Sequence, residues 1–220
     1  MYCISKVIQA EYLCEIKKKA RQCGATLNDV FLTAYASVIS RVKNLDKVVL
    51  PSPADLRSVL SVRDEFTVAN MTGIYRRVTI EYTPGQRFVD TLAMVHLEME
   101  MQKSRNMCLS GIKLLHCAEK LIPVRKLKKV IRAVYPLPSV SYTNFGVIDE
   151  KKLFFQGCEV RNCFLTGSYR LPPDFQISVS TYEENCTLNC TLIGSKTDQR
   201  FSEDVLEQVR NEIVEWVSNI

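Results

Sequence analysis

Apolar residues recur every three or four positions along several segments of the chain, which is the spacing of a helix with one buried face. The predicted helices cover residues 10–23, 26–43, 86–103 and 202–217, with two shorter ones in 110–134 that are broken at Pro123. Gly24 ends the first helix, as a glycine just past a helix end commonly does. Thr26 and Asp29 form a capping-box pattern at the start of the second helix. That helix is apolar over much of its circumference, which predicts burial on more than one side.

Short β-branched or alternating runs predict strands between the helices. They cover residues 48–50, 74–82 and 140–143, and a hairpin is predicted from 175–182 and 186–193. Pro51 and Pro53 are expected to end the strand at 48–50. Pro84 and Gly85 are expected to end the strand at 74–82. Helices mixed with partly antiparallel strands predict an α/β or α+β fold, a two-layer sandwich of helices on a mixed β-sheet. Because no linker or repeat interrupts this order, residues 1–220 are expected to form a single domain.

Composition narrows the classes of function. With 46% hydrophobic and 24% charged residues, the chain is typical of a globular protein. A formal net charge of +5 is a mild excess, so nucleic-acid binding is not expected. No apolar run approaches the length of about 18 residues that a membrane span needs. Nine scattered cysteines, without the N-terminal pattern of a signal peptide, predict free thiols and a cytoplasmic protein.

Four segments, taken in order, resemble sequence elements of one superfamily. They are residues 24–32 (GATLNDVFL), 53–57 (PADLR), 70–73 (NMTG) and 141–146 (SYTNFG). Their order and spacing resemble the C-terminal lobe of the chloramphenicol acetyltransferase-like and non-ribosomal peptide condensation-domain acyltransferases. The resemblance covers roughly residues 10–194.

The resemblance implies two similar lobes that face each other across a tunnel. It also implies acyl transfer from a coenzyme A or carrier-protein thioester to an alcohol or amine, with no covalently bound cofactor. The catalytic sequence of the family is His-His-x-x-x-Asp-Gly, whose second histidine acts as general base. That sequence does not occur in this chain. We therefore expect half of an acyltransferase, inactive alone.

The two histidines of the chain, His96 and His116, both fall within predicted helices. The family motif lies in a loop at the tunnel centre, whereas a histidine beside the apolar stripe of a helix is held along the helix flank. Both residues are therefore predicted to be structural, either flanking or hydrogen-bonded.

Asp55 and Arg57 belong to the second motif. The resemblance implies that Arg57 reaches toward the aspartate of the histidine motif and orders its loop, since a planar guanidinium pairs bidentately with a carboxylate. That aspartate is absent from this chain. The alternatives are an intramolecular pair with Asp55 or Asp64, or simple exposure.

The fourth motif supplies Ser141, Thr143, Asn144 and Gly146. The resemblance implies that polar groups here face the reaction centre, where a hydroxyl or amide can stabilise a tetrahedral oxyanion. The alternative is an ordinary strand-to-turn transition, because Asn and Gly favour turns. We expect these residues to keep their place beside the tunnel without the activity.

Two other patterns are open to a functional interpretation. Cys186 and Cys190 would lie on one face of a strand, but zinc sites more often use Cys-x-x-Cys pairs, so buried free thiols and no metal are predicted. Residues 125–132 form a basic amphipathic stretch. Such a stretch could meet coenzyme A phosphates, an acidic carrier protein or a membrane face, or it could be only a solvated helix face.

The expected partner is an N-terminal catalytic lobe or a second copy of the chain. The first helix begins shortly after Met1, which suits a division between lobes. An isolated lobe would expose the apolar face that meets its partner, and so should self-associate. The alternative function is therefore a non-catalytic binding or assembly module on the same fold.

Overall fold

The computed structural model describes residues 1–59, 71–134 and 138–218. The helices are α1 (Ala10–Gln22), α2 (Leu27–Lys43), α3 (Leu56–Val59), α4 (Phe88–Ser104), α5 (Ser110–Leu121), α6 (Val124–Val134) and α7 (Lys196–Ser218). The strands are β1 (Tyr2–Ile8), β2 (Lys47–Asp55), β3 (Thr72–Glu81), β4 (Val140–Ile148), β5 (Phe175–Tyr182) and β6 (Asn185–Leu192). In the described ranges, none of the helices combines the length and the apolar composition that a membrane crossing requires.

The predicted helices are confirmed, including the break at Pro123 between α5 and α6. The capping box of α2 is present: Thr26 Oγ1 accepts from the amide of Asp29 at 3.2 Å, and Asp29 Oδ2 accepts from the amide of Thr26 at 2.9 Å. Every residue from Asp29 to Ser40 is buried. Helix α2 is therefore the central helix of the core, as its apolar circumference predicts.

Two predicted strand ends are wrong. Pro51 and Pro53 do not stop β2, which continues through both to Asp55. This strand is an edge of a two-stranded ribbon, and its register shifts at Pro51, so a missing N–H is tolerated there. Residues 144–146 form a bulge within β4 instead of a turn after it. Strand β1 was not predicted, because apolar and polar residues do not alternate strictly along residues 2–8. Only Ile4 and Ile8 of its seven residues are buried.

A mixed four-stranded sheet carries the larger part of the fold, in the order β1-β6-β5-β4. Strands β1 and β5 pair antiparallel with β6, and β4 pairs parallel with β5. The predicted hairpin is β5–β6. Strands β2 and β3 form a separate antiparallel ribbon, with β2 packed beside β4. The ribbon therefore lies next to the β4 edge of the larger sheet.

Helices cover one face of the larger sheet. Ile177, Val179 and Leu188 on β5 and β6 are buried in a core that includes residues of α1, α2 and α7. The rings of Phe88 and Trp216 stack with centroids 5.0 Å apart and join α4 to α7. This layer of helices on a mixed sheet confirms the predicted fold class.

The other face of β5 and β6 is polar and is covered by an irregular segment, residues 160–170. Ser178 Oγ accepts from the amide of Gly167 at 2.8 Å, and Ser180 Oγ accepts from the amide of Leu165 at 3.1 Å. Asn189 Nδ2 donates to the Leu165 carbonyl at 2.8 Å. These side chains are buried, so their hydrogen bonds hold the covering segment onto the sheet.

Candidate functional site

Asp55 and Arg57 lie where β2 runs into the short helix α3. The backbone amide and Nη1 of Arg57 both donate to Asp55 Oδ1, at 3.0 and 3.3 Å. The pair with Asp55, one of the alternatives open from the sequence, is thus present. Asp64 and Asn70, the first residue of the third motif, lie outside the described residues. The reach of Arg57 toward a second lobe stays a prediction.

Ser141 and Thr143 lie on β4, in the fourth motif. Ser141 is buried, and its hydroxyl accepts from Arg170 Nη2 at 2.8 Å. Arg170 Nε also donates to Gln176 on β5, at 3.1 Å. Ser141 therefore helps to anchor the covering segment. Thr143 is half-buried. Their placement along a tunnel stays a prediction.

Asn144 is held by hydrogen bonds at both ends of its amide. Its Oδ1 accepts from the amide of Gly146 at 2.8 Å, across the bulge of β4. Its Nδ2 donates to Asn28 Oδ1, at 3.1 Å, at the start of α2. Gly146 has φ +73°, a left-handed conformation that suits glycine. The bulge and the beginning of α2 are therefore fixed relative to one another.

Asn28 accepts a second donor from the same strand. The hydroxyl of Tyr142, a buried residue, donates to Asn28 Oδ1 at 3.0 Å. Burial raises the pKa of Tyr142 well above its usual range, so this hydroxyl keeps its proton and acts as a donor. Reasoning from the sequence did not single out Asn28 or Tyr142 as site residues. Both lie within the quoted motifs, at 24–32 and 141–146.

The residue after Asn28 makes a third connection. Asp29 is fully buried, and its Oδ2 lies 3.0 Å from Nδ1 of His96 on α4. His96 is thus a hydrogen-bonded histidine on a helix, as predicted. Asp29 Oδ1 has no hydrogen-bond partner among the described residues. His116 is exposed on α5.

Cys186 and Cys190 are buried and free of disulfides, as predicted. Burial raises the pKa of the Cys186 thiol to about 12 and that of Cys190 to about 11, so both are protonated at neutral pH. Across residues 1–59, 71–134 and 138–218, no group of three or more histidine, cysteine, aspartate or glutamate side chains is arranged to hold a metal ion.

Beyond Asn144 the chain exposes several large apolar side chains. They belong to Phe145, Val147, Phe154 and Phe155, and we call this set of exposed side chains the apolar arm. Val147 is 72% exposed and Phe154 is 84% exposed. Where exposed apolar side chains form a contiguous patch, they mark a surface that meets another protein or lobe.

The comparisons with known proteins bear on the fold. No protein-family model matches the sequence, and no curated protein matches it. The epimerization domain from the third module of tyrocidine synthetase B matches with a TM-score of 0.64 at 12% identity, over 100% of this chain and 49% of that one. The condensation domain from the monacolin K polyketide synthase MokA gives 0.63 at 12% identity, over 99% and 48%. The PapA2 acyl transferase gives 0.61 at 8% identity, over 98% and 44%.

The chain therefore has the fold of condensation and acyltransferase domains, as the resemblance implied. It spans about half the length of the solved structures it matches. At these identities the likeness establishes the fold alone.

Proposed function

We propose that this chain is the C-terminal half of a condensation-domain-like acyltransferase. Such a protein would transfer an acyl group from a coenzyme A or carrier-protein thioester to an alcohol or amine. One observation carries the proposal: the whole chain matches about half of condensation and acyltransferase structures. In this proposal residues 1–220 form one lobe, and a second lobe supplies the missing His-His-x-x-x-Asp-Gly sequence and its general base.

The site on this chain would support the reaction without performing it. Asn144 would be a positioning residue, because its Oδ1 holds the Gly146 amide and its Nδ2 is tied to Asn28. The Arg57 guanidinium would pair with the aspartate of the histidine motif across the tunnel, and its pair with Asp55 would be either broken or kept. A guanidinium keeps its charge at every working pH and presents a planar fork to a carboxylate, which suits that task.

The apolar arm supports the presence of a partner. Phe154 and Phe155 are more than half exposed, and large aromatic side chains gain most when another surface covers them. The same observation favours the second candidate function. A non-catalytic assembly module on this fold would bury the arm against a second copy of the chain.

Acyl transfer by the two-lobed protein is the test. The chain would be expressed alone and together with a neighbouring coding segment that carries His-His-x-x-x-Asp-Gly. Release of free thiol from acetyl-coenzyme A and from an acylated carrier protein would be measured with alcohol and amine acceptors. We expect turnover only when both lobes are present, and its loss when the second histidine of the motif is changed to alanine.

Two outcomes would overturn the proposal. One is turnover by the chain alone at the rate of the pair. The other is failure of the complete two-lobed protein to use any donor of either kind, which would leave the assembly module as the better account.

A further inference from the structure

The positive charge of the chain is concentrated in one helical hairpin. Residues 110–134, which form α5 and α6, hold seven Lys and Arg residues and one acidic residue, Glu119, a formal charge of +6. The whole chain has a formal charge of +5. The remaining residues therefore have a formal charge of −1, and the excess of positive charge that can attract an anionic partner lies in this hairpin.

The cations of the hairpin are at the surface. The side chains of Lys113, Lys120, Arg125, Lys126, Lys128 and Lys129 are exposed. Helices α5 and α6 pack against each other, and α5 packs on β3. The hairpin lies away from α1, which packs against α2, α7 and β6.

An apolar side chain projects from the tip of the same hairpin. Leu121, the last residue of α5, is 83% exposed, and Leu114, two turns earlier on the same side of the helix, is 50% exposed. The turn between α5 and α6 is short, and a backbone hydrogen bond fixes it on each side. The Ile122 amide donates to the Ala118 carbonyl at 2.8 Å, and the Lys126 amide donates to the Pro123 carbonyl at 2.8 Å. Leu121 is therefore presented on an ordered turn between cations on both helices.

We propose that the α5–α6 hairpin docks on a membrane surface that contains anionic phospholipid. The headgroups would meet the exposed lysines, and Leu121 would enter the boundary between headgroups and acyl chains. A bilayer accepts a projecting leucine without a matching cavity, whereas an acidic protein would need a pocket shaped for it. Each Lys or Arg near an anionic surface adds about fivefold to partitioning, the equivalent of about 1 kcal/mol.

Co-sedimentation of the full chain with vesicles tests this proposal, and it does not depend on any acyltransferase activity. One set of vesicles contains phosphatidylcholine alone, and the other contains phosphatidylcholine with phosphatidylserine. We expect binding to the second set only, with a steep loss as salt screens the charges. The double variant Lys126→Gln/Lys129→Gln should lower partitioning about 25-fold, and Leu121→Ala should lower it about tenfold.

The matched control is Lys17→Gln/Lys18→Gln on α1. It removes the same charge from exposed positions outside the hairpin, and it should bind vesicles like the unchanged chain. Circular dichroism of each variant would verify that the helices are retained. The proposal is overturned by equal binding to both vesicle sets, by no binding to either, or by equal losses in the two double variants. Tighter binding to polyglutamate than to phosphatidylserine vesicles would overturn it in favour of an acidic protein.

Discussion

Nδ1 of His96 lies 3.0 Å from Oδ2 of Asp29, a carboxylate with no exposed surface at the start of α2. The same oxygen accepts the amide of Thr26, 2.9 Å away. One buried atom therefore caps a central helix and ties it to α4. A buried carboxylate is costly unless it is paired and hydrogen-bonded, so His96 contributes to stability through Asp29.

Replacing His96 with alanine should lower the free energy of unfolding by about 2 kcal/mol, because Asp29 loses a partner while it stays buried. His116→Ala is the matched control: His116 is exposed, and the change should cost less than about 0.5 kcal/mol. Urea unfolding followed by circular dichroism measures both. Equal stabilities for the two variants would show that the His96–Asp29 contact does not stabilise the fold.

Asn28 should matter to stability through its two donors on β4. Asn28→Ala leaves the buried Tyr142 hydroxyl and the Asn144 amide without their shared acceptor, at a cost of about 2 kcal/mol. Tyr142→Phe removes one of the donors and should cost about 1 kcal/mol.

A double-mutant cycle of these two changes isolates their coupling. The variant Asn28→Ala/Tyr142→Phe should lose less than the sum of the single losses, because the apolar ring leaves no unsatisfied hydroxyl. Strict additivity in unfolding experiments would contradict the shared acceptor.

Stability should fall in alkaline solution because of the buried thiols. Burial raises the pKa of Cys190 to about 11 and that of Cys186 to about 12, while an unfolded cysteine has a pKa of about 8.5. The native state holds these protons more tightly than the unfolded state does. The free energy of unfolding is therefore unaffected by these thiols below about pH 8.5, and it falls as the pH rises from there through the folded pKa values. Titration of Cys190 alone should lower the free energy of unfolding by about 3 kcal/mol by about pH 11.

The comparison is made with Cys190→Ala, measured by urea unfolding at several pH values. This variant is expected to be less stable at neutral pH through lost packing, and to show a shallower alkaline decline than the unchanged chain. Cys117→Ala, which removes an exposed thiol, serves as the control for the loss of a cysteine. Parallel curves for the Cys190 variant and the unchanged chain would argue against titration of this thiol.

Arg57 provides a prediction for the two-lobed protein. If its guanidinium orders the histidine loop, Arg57→Ala should lower the rate of acyl transfer at least about tenfold, and Arg57→Lys should not restore it, because a bidentate pair needs the planar fork. Arg105→Ala, at an exposed position, serves as the control. Equal rates for the Arg57 and Arg105 variants would remove Arg57 from the site.

The helices and the fold class could be predicted from local patterns. The apolar spacing of α2 and its Thr26–Asp29 capping box are contained in one stretch of sequence, and both are confirmed. Helix α7 begins six residues before its predicted start. A second capping pair shows why: the Ser195 amide donates to Asp198 Oδ2 at 2.7 Å, and the Asp198 amide donates to Ser195 Oγ at 3.3 Å. The capping signal is present in the sequence, but residues 196–200 of this first part of the helix include no apolar residue.

The connections that build the candidate site could not be predicted in this way. Asn28 and Asn144 are 116 positions apart, and Asp29 and His96 are 67 apart. A local pattern holds no information on which distant polar groups meet. The position of the covering segment could not be predicted either. Its backbone is held by side chains of β5 and β6, and not by the backbone hydrogen bonds of a strand, so it has no strand pattern in the sequence.

The central claim is that this chain is one lobe that needs a partner on its apolar arm. Molar mass from light scattering, for the chain alone and for the chain co-expressed with a histidine-motif lobe, tests it most directly. We predict a mass above the 25.1 kDa of one chain when it is alone, and a one-to-one complex with the second lobe. Phe154→Ser/Phe155→Ser should abolish both. A monomer at all concentrations that also fails to bind the second lobe would contradict the claim.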